Sequence, residues 1–249
     1  MSTSRSTPAG RSGPTGRPAS PAARGARARA REEITAAIKD EARRQLADEG
    51  AAKLSLRAVA RELGMVSSAL YRYFPSRDDL LTALIIDAYD ALGEAAERAD
   101  AAREPTATAA RRWVAVCRAV RAWALDHPHE YTLIYGSPVP GYTAPMDTVE
   151  AASRVGLLLI GIVREAYEGK GVALPRIPPA LRPEAERIAA DIAPDLPPEV
   201  MTALIAAWAQ LFGLIGFELF GQFNRVVEDR SAFFDHAAAQ LAHGVGLVR

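Results

Sequence analysis

Along most of the chain apolar residues recur at three- and four-residue intervals, the spacing of helices that bury one side, while period-two alternation is scarce. The first periodic segment, about residues 31–48, sets Ile34, Ile38 and Leu46 on one face, with Gly50 placed to end it. Ser55 is positioned as the N-cap of a second, "LRAVAREL", in which Val59 and Leu63 lie four apart. Gly64 supplies a turn into a third, which Pro75 must stop. Ser76 can cap a fourth, about residues 77–98, whose apolar side is Leu80, Leu81, Leu84, Ile85, Ala88 and Leu92. At 1.5 Å per residue this is a strut of roughly 30 Å.

Further helices are predicted over about residues 106–125, from Pro128, and over 147–168, 182–192, 198–224 and 229–243. The proline-rich loop "GSPVPGYTAP" lies between the second and third of these, and seven prolines fall between 175 and 198, in and around the 182–192 segment. The predicted fold is all-α: a three-helix unit over 29–76, joined through the strut to a larger helical domain over 77–249. The helices 147–168 and 198–224 are apolar all round and carry several glycines, so they are expected to pair with their symmetry mates in a C2 four-helix interface.

The third helix, inside "ELGMVSSALYRYF" (residues 62–74), is unusual for what it leaves uncovered. Leu70 and Phe74 share one face, and Ser67, Ser68, Tyr71, Arg72 and Tyr73 fan out over the rest. Two short helices joined by a glycine turn, the second displaying polar side chains, describe a helix-turn-helix whose second helix fits a DNA major groove about 12 Å wide. Arg72 can pair with guanine or a phosphate, the tyrosines offer hydroxyls and flat rings, and Ser67 and Ser68 stand at a helix N-terminus that favours an anion. Ser55, Arg57 and Arg77 add phosphate-directed donors. Acidic Asp78 and Asp79 at the start of the strut favour the helix dipole.

Charge sharpens this picture. Basic and acidic residues balance at 30 each, yet residues 1–31 hold seven arginines (Arg5, Arg11, Arg17, Arg24, Arg27, Arg29, Arg31) and no acid. This Pro/Gly/Ser/Ala-rich segment buries too little to offset its ordering entropy, so residues 1–28 are expected to be a disordered basic arm able to lie near phosphates.

Residues 54–84, "LSLRAVARELGMVSSALYRYFPSRDDLLTAL", resemble the DNA-binding signature of TetR/AcrR-type transcriptional regulators. The shared features are a hydroxyl residue opening helix two, an Ala-Arg-x-x-Gly turn, Leu-Tyr-x-x-Phe, and a basic residue opening helix four. Val66 and Ala69 depart from the pattern, standing where the family usually has hydroxyls. The resemblance implies Ser55, Arg57, Ser67, Ser68, Tyr71, Arg72, Tyr73 and Arg77 as DNA contacts, with Tyr71 and Arg77 on phosphates. "AWAQLFGLIGFEL", from Ala207, is similar to a subclass of the family's ligand domains marked by Trp and then His-Gly, with Phe212 here in the histidine place.

For a small-molecule pocket the larger domain offers Trp113, Cys117, Trp123, Tyr131, Tyr135, Met146, Tyr167 and Trp208, which would suit an apolar or aromatic effector. Enzyme chemistry has little to stand on. His127 and His129 lack a metal-spaced carboxylate or cysteine partner, Cys117 lacks a neighbouring histidine, and there is no phosphate loop or dinucleotide fingerprint. No cofactor or metal is expected. A single cysteine and the lack of an apolar leader indicate a cytoplasmic protein, and the apolar stretch from Ala203, interrupted by Gln210, Glu218 and Gln222, is expected to be a buried helix with no membrane partner.

The sequence therefore predicts a homodimeric regulator, most simply a repressor, that binds a palindromic double-stranded operator. A small molecule would release it by favouring a different tilt of the strut. The alternative is a helical protein-protein interaction module without specific DNA binding; a titration with genomic DNA fragments separates the two.

Overall fold

A computed structural model describes residues 21–248, and the described chain is helical almost throughout. The helices are α1 (Pro21–Glu49), α2 (Leu56–Glu62), α3 (Ser67–Leu70), α4 (Arg77–Ala101), α5 (Ala109–Asp126), α6 (Pro128–Tyr135), α7 (Val149–Glu168), α8 (Arg182–Ile192), α9 (Pro198–Leu219) and α10 (Arg230–Val245). Among the described residues a lone antiparallel bridge, Val172 with Leu247, ties the chain just past the end of α10 to the segment after α7.

Four of the ten described helices start at a side-chain cap. Ser55, Ser76, Thr108 and Asp229 each accept a hydrogen bond from a backbone N–H of the first turn of α2, α4, α5 and α10. Two boundaries differ most. The first helix begins at Pro21, ten residues ahead of the predicted start, so residues 21–28 of the expected disordered arm are helical and 1–20 lie outside the described residues. The reason is propensity: "PAARGARA" is mostly alanine and arginine with proline at the first position, and extending a nucleated helix needs no buried face. At the other end α9 stops at Leu219, short of 224, because Gly221 turns the chain with φ +81°.

Two hydrophobic cores form. The smaller takes Ile38, Ala42 and Leu46 from α1, Leu56, Val59 and Ala60 from α2, Leu70 from α3, Phe74, and Leu80, Leu81 and Leu84 from α4. The larger is built from α5, α7, α8, α9 and α10 on the second half of α4, where Ala88, Leu92 and Ala96 are fully buried. Helix α4 thus belongs to both cores, its first turns to one and its later turns to the other. At Gly93 a side chain would collide with Arg154 of α7, whose guanidinium crosses α4 there to reach Asp90 and Glu97.

Helix α7, expected to pair with a symmetry mate, buries one face within the molecule and leaves Val149 and Leu157 exposed. Its Val155, Leu159, Ile162 and Val163 are buried within the larger core, where the helix packs on α4 and α5. The exposed aromatic surface lies instead on α9 and α10, where Trp208, Phe217 and Phe233 are uncovered and Phe217–Phe223–Phe233 form a chain of edge-on rings. Helix α9 is long and apolar enough to cross a membrane. It packs against α8 and α10, and its buried Glu218 carries a bidentate pair from Arg121 of α5, Nη2 to Oε1 at 2.6 Å and Nε to Oε2 at 2.7 Å.

Candidate nucleic-acid interface

The helix-turn-helix is assembled by a few local decisions. Gly64 takes φ +63°, a left-handed turn that swings α3 across α2. Leu70, with no exposed surface, and Phe74, nearly buried, anchor α3 in the small core. The helix is shorter than expected. Val66 offers no side-chain acceptor to cap it, and after Leu70 the backbone tightens into i→i+3 bonds, Arg72 N to Ala69 O and Tyr73 N to Leu70 O, before Pro75. Ser68, Tyr71 and Arg72 are exposed, with Ser67 and Ala69 half-covered, so most of the predicted polar face is on the surface.

Tyr73 differs. It is half-buried against the small core, and the Arg31 guanidinium sits over its ring, 5.0 Å from the centroid. Arg31 Nη2 also donates to the Arg72 carbonyl at 3.4 Å. No local pattern joins Arg31 to this site, because the contact spans 41 residues; its place in an arginine run was the one available signal.

Arg77 is largely committed within the protein. Its Nη2 donates to the carbonyls of Ala51 at 2.8 Å and Ala52 at 3.3 Å, and Nε to that of Leu54 at 3.2 Å. These are carbonyls of the short 3-10 turn Ala51–Lys53 and its cap, so the guanidinium fastens α4 to the end of α1. It still borders a shallow groove with Ser55, Arg57, Tyr71 and Ser76. Ser55 accepts from Ala58 N at 3.4 Å, and its hydroxyl hydrogen remains available to an acceptor. Asp79 donates its backbone N–H to Ser76 Oγ at 3.1 Å and accepts from that hydroxyl at 2.7 Å, the dipole-favoured role expected of it.

The residues expected to line an effector pocket are dispersed. Trp113, Cys117, Trp123 and Tyr131 fill the larger core, while Met146, Tyr167 and Trp208 are exposed. Large rings interdigitate where a cavity was expected: Tyr135 stacks on Phe212 at 4.0 Å, Trp208 meets Phe212 edge-on at 5.6 Å, and the Tyr131 hydroxyl donates to the Phe212 carbonyl at 2.8 Å. Burial pushes the Cys117 thiol up to about 12, so it is not a nucleophile at neutral pH, and burial raises the Tyr131 and Tyr135 phenols well above their ordinary values. His127 caps α5 with its ring stacked on Trp123, 5.0 Å between centroids. Among the described residues no group of three or more His, Cys, Asp or Glu is placed to hold a metal ion.

Open space lies beside the proline-rich loop instead. A cleft of about 520 Å³ separates it from α4 and α7, and one of about 890 Å³ separates it from α1. Of the predicted pocket residues Tyr135 lines the larger cleft. Sequence periodicity marks which residues are buried, not where two cores fail to close on each other.

Comparison with known proteins agrees with this geometry. A family model described as "Bacterial regulatory proteins, tetR family" matches residues 38–84, the helix-turn-helix and the start of α4. A second, "Tetracyclin repressor-like, C-terminal domain", matches residues 113–241. HTH-type transcriptional regulator Rv1816 of Mycobacterium tuberculosis is 43% identical over 224 residues, covering 85% of this chain and 92% of that protein. HTH-type transcriptional repressor LfrR of Mycolicibacterium smegmatis is 41% identical over 85 residues, 34% of this chain and 44% of its own length. Among solved structures, the regulatory protein SCO4313 superposes with a TM-score of 0.72 at 34% identity, covering 87% of this chain and 98% of that one. With two family models over its two units and a relative matched over nearly its whole length, the chain belongs to the TetR family of bacterial regulatory proteins and is a sequence-specific DNA-binding regulator of transcription.

Proposed function

We propose that the protein is a cytoplasmic homodimeric repressor that binds a palindromic operator and is released by an uncharged apolar or aromatic small molecule. The observation that carries the reading is the exposed Ser68–Tyr71–Arg72 surface held rigid by the burial of Leu70 and Phe74. On this reading Arg72 and Ser68 reach base edges in the major groove. Ser55, Arg57, Ser67 and Tyr71 hold phosphates around the adjoining groove. Tyr73, under Arg31, and Arg77, on the 51–54 carbonyls, chiefly position the surface. The dimer would form through α9 and α10, whose uncovered Trp208, Phe217 and Phe233 are apolar surface that a second copy can bury. Two recognition units would then meet successive major grooves about 34–36 Å apart.

Selecting bound fragments from the source genome would yield the operator, and Arg72→Ala tests the mode of reading. The expected result is a loss of about 1–3 kcal/mol on the selected site with a much smaller loss on unrelated duplex. Equal losses on both would move Arg72 from bases to the backbone.

A further inference from the structure

The cleft of about 890 Å³ lies between the two cores. One wall carries Leu46 of the small core, with Ala47 and Ala51 beside it; the opposite wall carries Tyr135, packed against the large core, and Phe220. Its size and its position at a domain junction are those favoured by small-molecule sites. No Asp, Glu, Lys or Arg is among the described residues that line it and its one basic side chain, His129, is exposed to solvent, so a charged guest would lose hydration with little counter-charge in return. The Tyr135 ring is fixed by its stack on Phe212, and its hydroxyl has no hydrogen-bond partner among the described residues. That hydroxyl is not sealed from solvent, so a guest's hydrogen-bonding group would take the place of water on it.

The same wall touches the DNA-facing surface from behind. Ala51 and Ala52 line the cleft, and their carbonyls receive Arg77, which borders the groove of Ser55, Arg57 and Tyr71. Leu133 and Val139 line the cleft too and pack against the small core, and Tyr142 of the loop shares a hydroxyl hydrogen bond of 2.9 Å with Thr82 of α4. A molecule wedged here bears on the seat of the DNA-binding unit directly, without first moving the larger bundle.

We propose that this interdomain cleft is the effector site, that it takes a flat uncharged molecule with one hydrogen-bonding group, and that occupancy reaches the DNA face through the 51–54 turn and Arg77. This rests on the ligand-released reading above.

The test uses the full chain and 1-naphthol as a fluorescent probe, with 1-naphthalenesulfonate as its charged counterpart. Ala47→Trp, at an exposed position of α1, fills the cleft from one side, and Ser137→Trp, in the loop, fills it independently; melting temperatures check that both variants fold. The wild type should bind 1-naphthol saturably, the sulfonate should bind about tenfold more weakly, and either tryptophan should cost about tenfold. Tyr135→Phe, which removes the hydroxyl alone, should cost about two- to tenfold. Operator affinity should fall severalfold on adding 1-naphthol to the wild type and stay unchanged in the filled variants. No saturable binding, binding indifferent to both tryptophans, or equal binding of the sulfonate would overturn the site. Binding that behaves as expected but leaves operator affinity unmoved would overturn the ligand-released reading and the relay while leaving the cleft as a binding site.

Discussion

Arg43 is the polar rivet between the DNA-binding unit and the rest of the molecule. From α1 it reaches Asp87 of α4 at 2.6 Å and Glu130 of α6 at 3.1 Å, and Lys39 adds a third crossing pair to Asp87 at 2.8 Å. These side chains are 20–30% exposed, so each pair is screened and contributes about 0.5–1 kcal/mol. Arg43→Met removes two of the three, about 1–2 kcal/mol of resistance to turning α1 against α4 and α6. The consequence is read on DNA. Moving two half-sites apart by one base pair shifts one by roughly 3.4 Å and turns it by roughly 34–36°, so a rigid dimer must strain its anchors or release a half-site. With weakened anchors the preference for the best spacing over spacings one base pair longer or shorter should narrow by a factor of about 5–30. Fluorescence anisotropy on a set of spacing variants measures this, with a single half-site duplex as the control whose affinity should not change. An unchanged spacing preference, or an equal loss on the single half-site, would refute the reasoning. A wild type indifferent to spacing would instead refute the two-half-site dimer.

Three further outcomes are expected. Phe217→Asp, which places a charge on the exposed aromatic face of α9 and α10, should shift the protein from dimer to monomer in sedimentation and weaken operator binding with little change in half-site affinity. The Arg112 guanidinium holds the Asp100 carboxyl below its ordinary value, so the stability from this pair is present above about pH 4 and is lost as pH falls through the lowered value. Acid unfolding followed by circular dichroism should therefore be less steep in Asp100→Asn, and Arg112→Met, which leaves the Asp100 carboxylate to Arg103 alone, should cost about 1–3 kcal/mol in urea unfolding at neutral pH. Deleting residues 1–28 removes five arginines and should flatten the dependence of operator affinity on salt by about 0.9 for each phosphate the arm had neutralised; an unchanged slope would exclude the arm from the DNA.

Helix positions were legible in the sequence because the signals are local: Ser55 and Ser76 as caps, Gly64 as a turn, Pro75 as a stop, and Leu70 with Phe74 four apart. The exposed polar face of α3 followed from the same stretch. What escaped was set by distant partners. Arg77 meets carbonyls 23–26 residues earlier, Tyr73 meets Arg31, and one face of α7 meets α4 and α5, and no periodicity reports which neighbour a face will meet. The expected effector residues are dispersed for a related reason. Large side chains in a helical domain fill a core as readily as they line a cavity, and Tyr135 reaches the cleft because it stands where α6 gives way to the loop.

The sharing of α4 between the two cores means that this regulator cannot be cut cleanly into modules. Severing the chain at residue 76 would strip the small core of Leu80, Leu81 and Leu84, so a portable DNA-binding head must keep α4 through those turns. A chimera would be spliced between Leu84 and Ala88, inside a continuous helix, where each added or deleted residue turns the head by about 100° and shifts it by about 1.5 Å. The number of residues in that one turn is a dial on where the reading head points, and grafts that ignore it should fold well and find no operator.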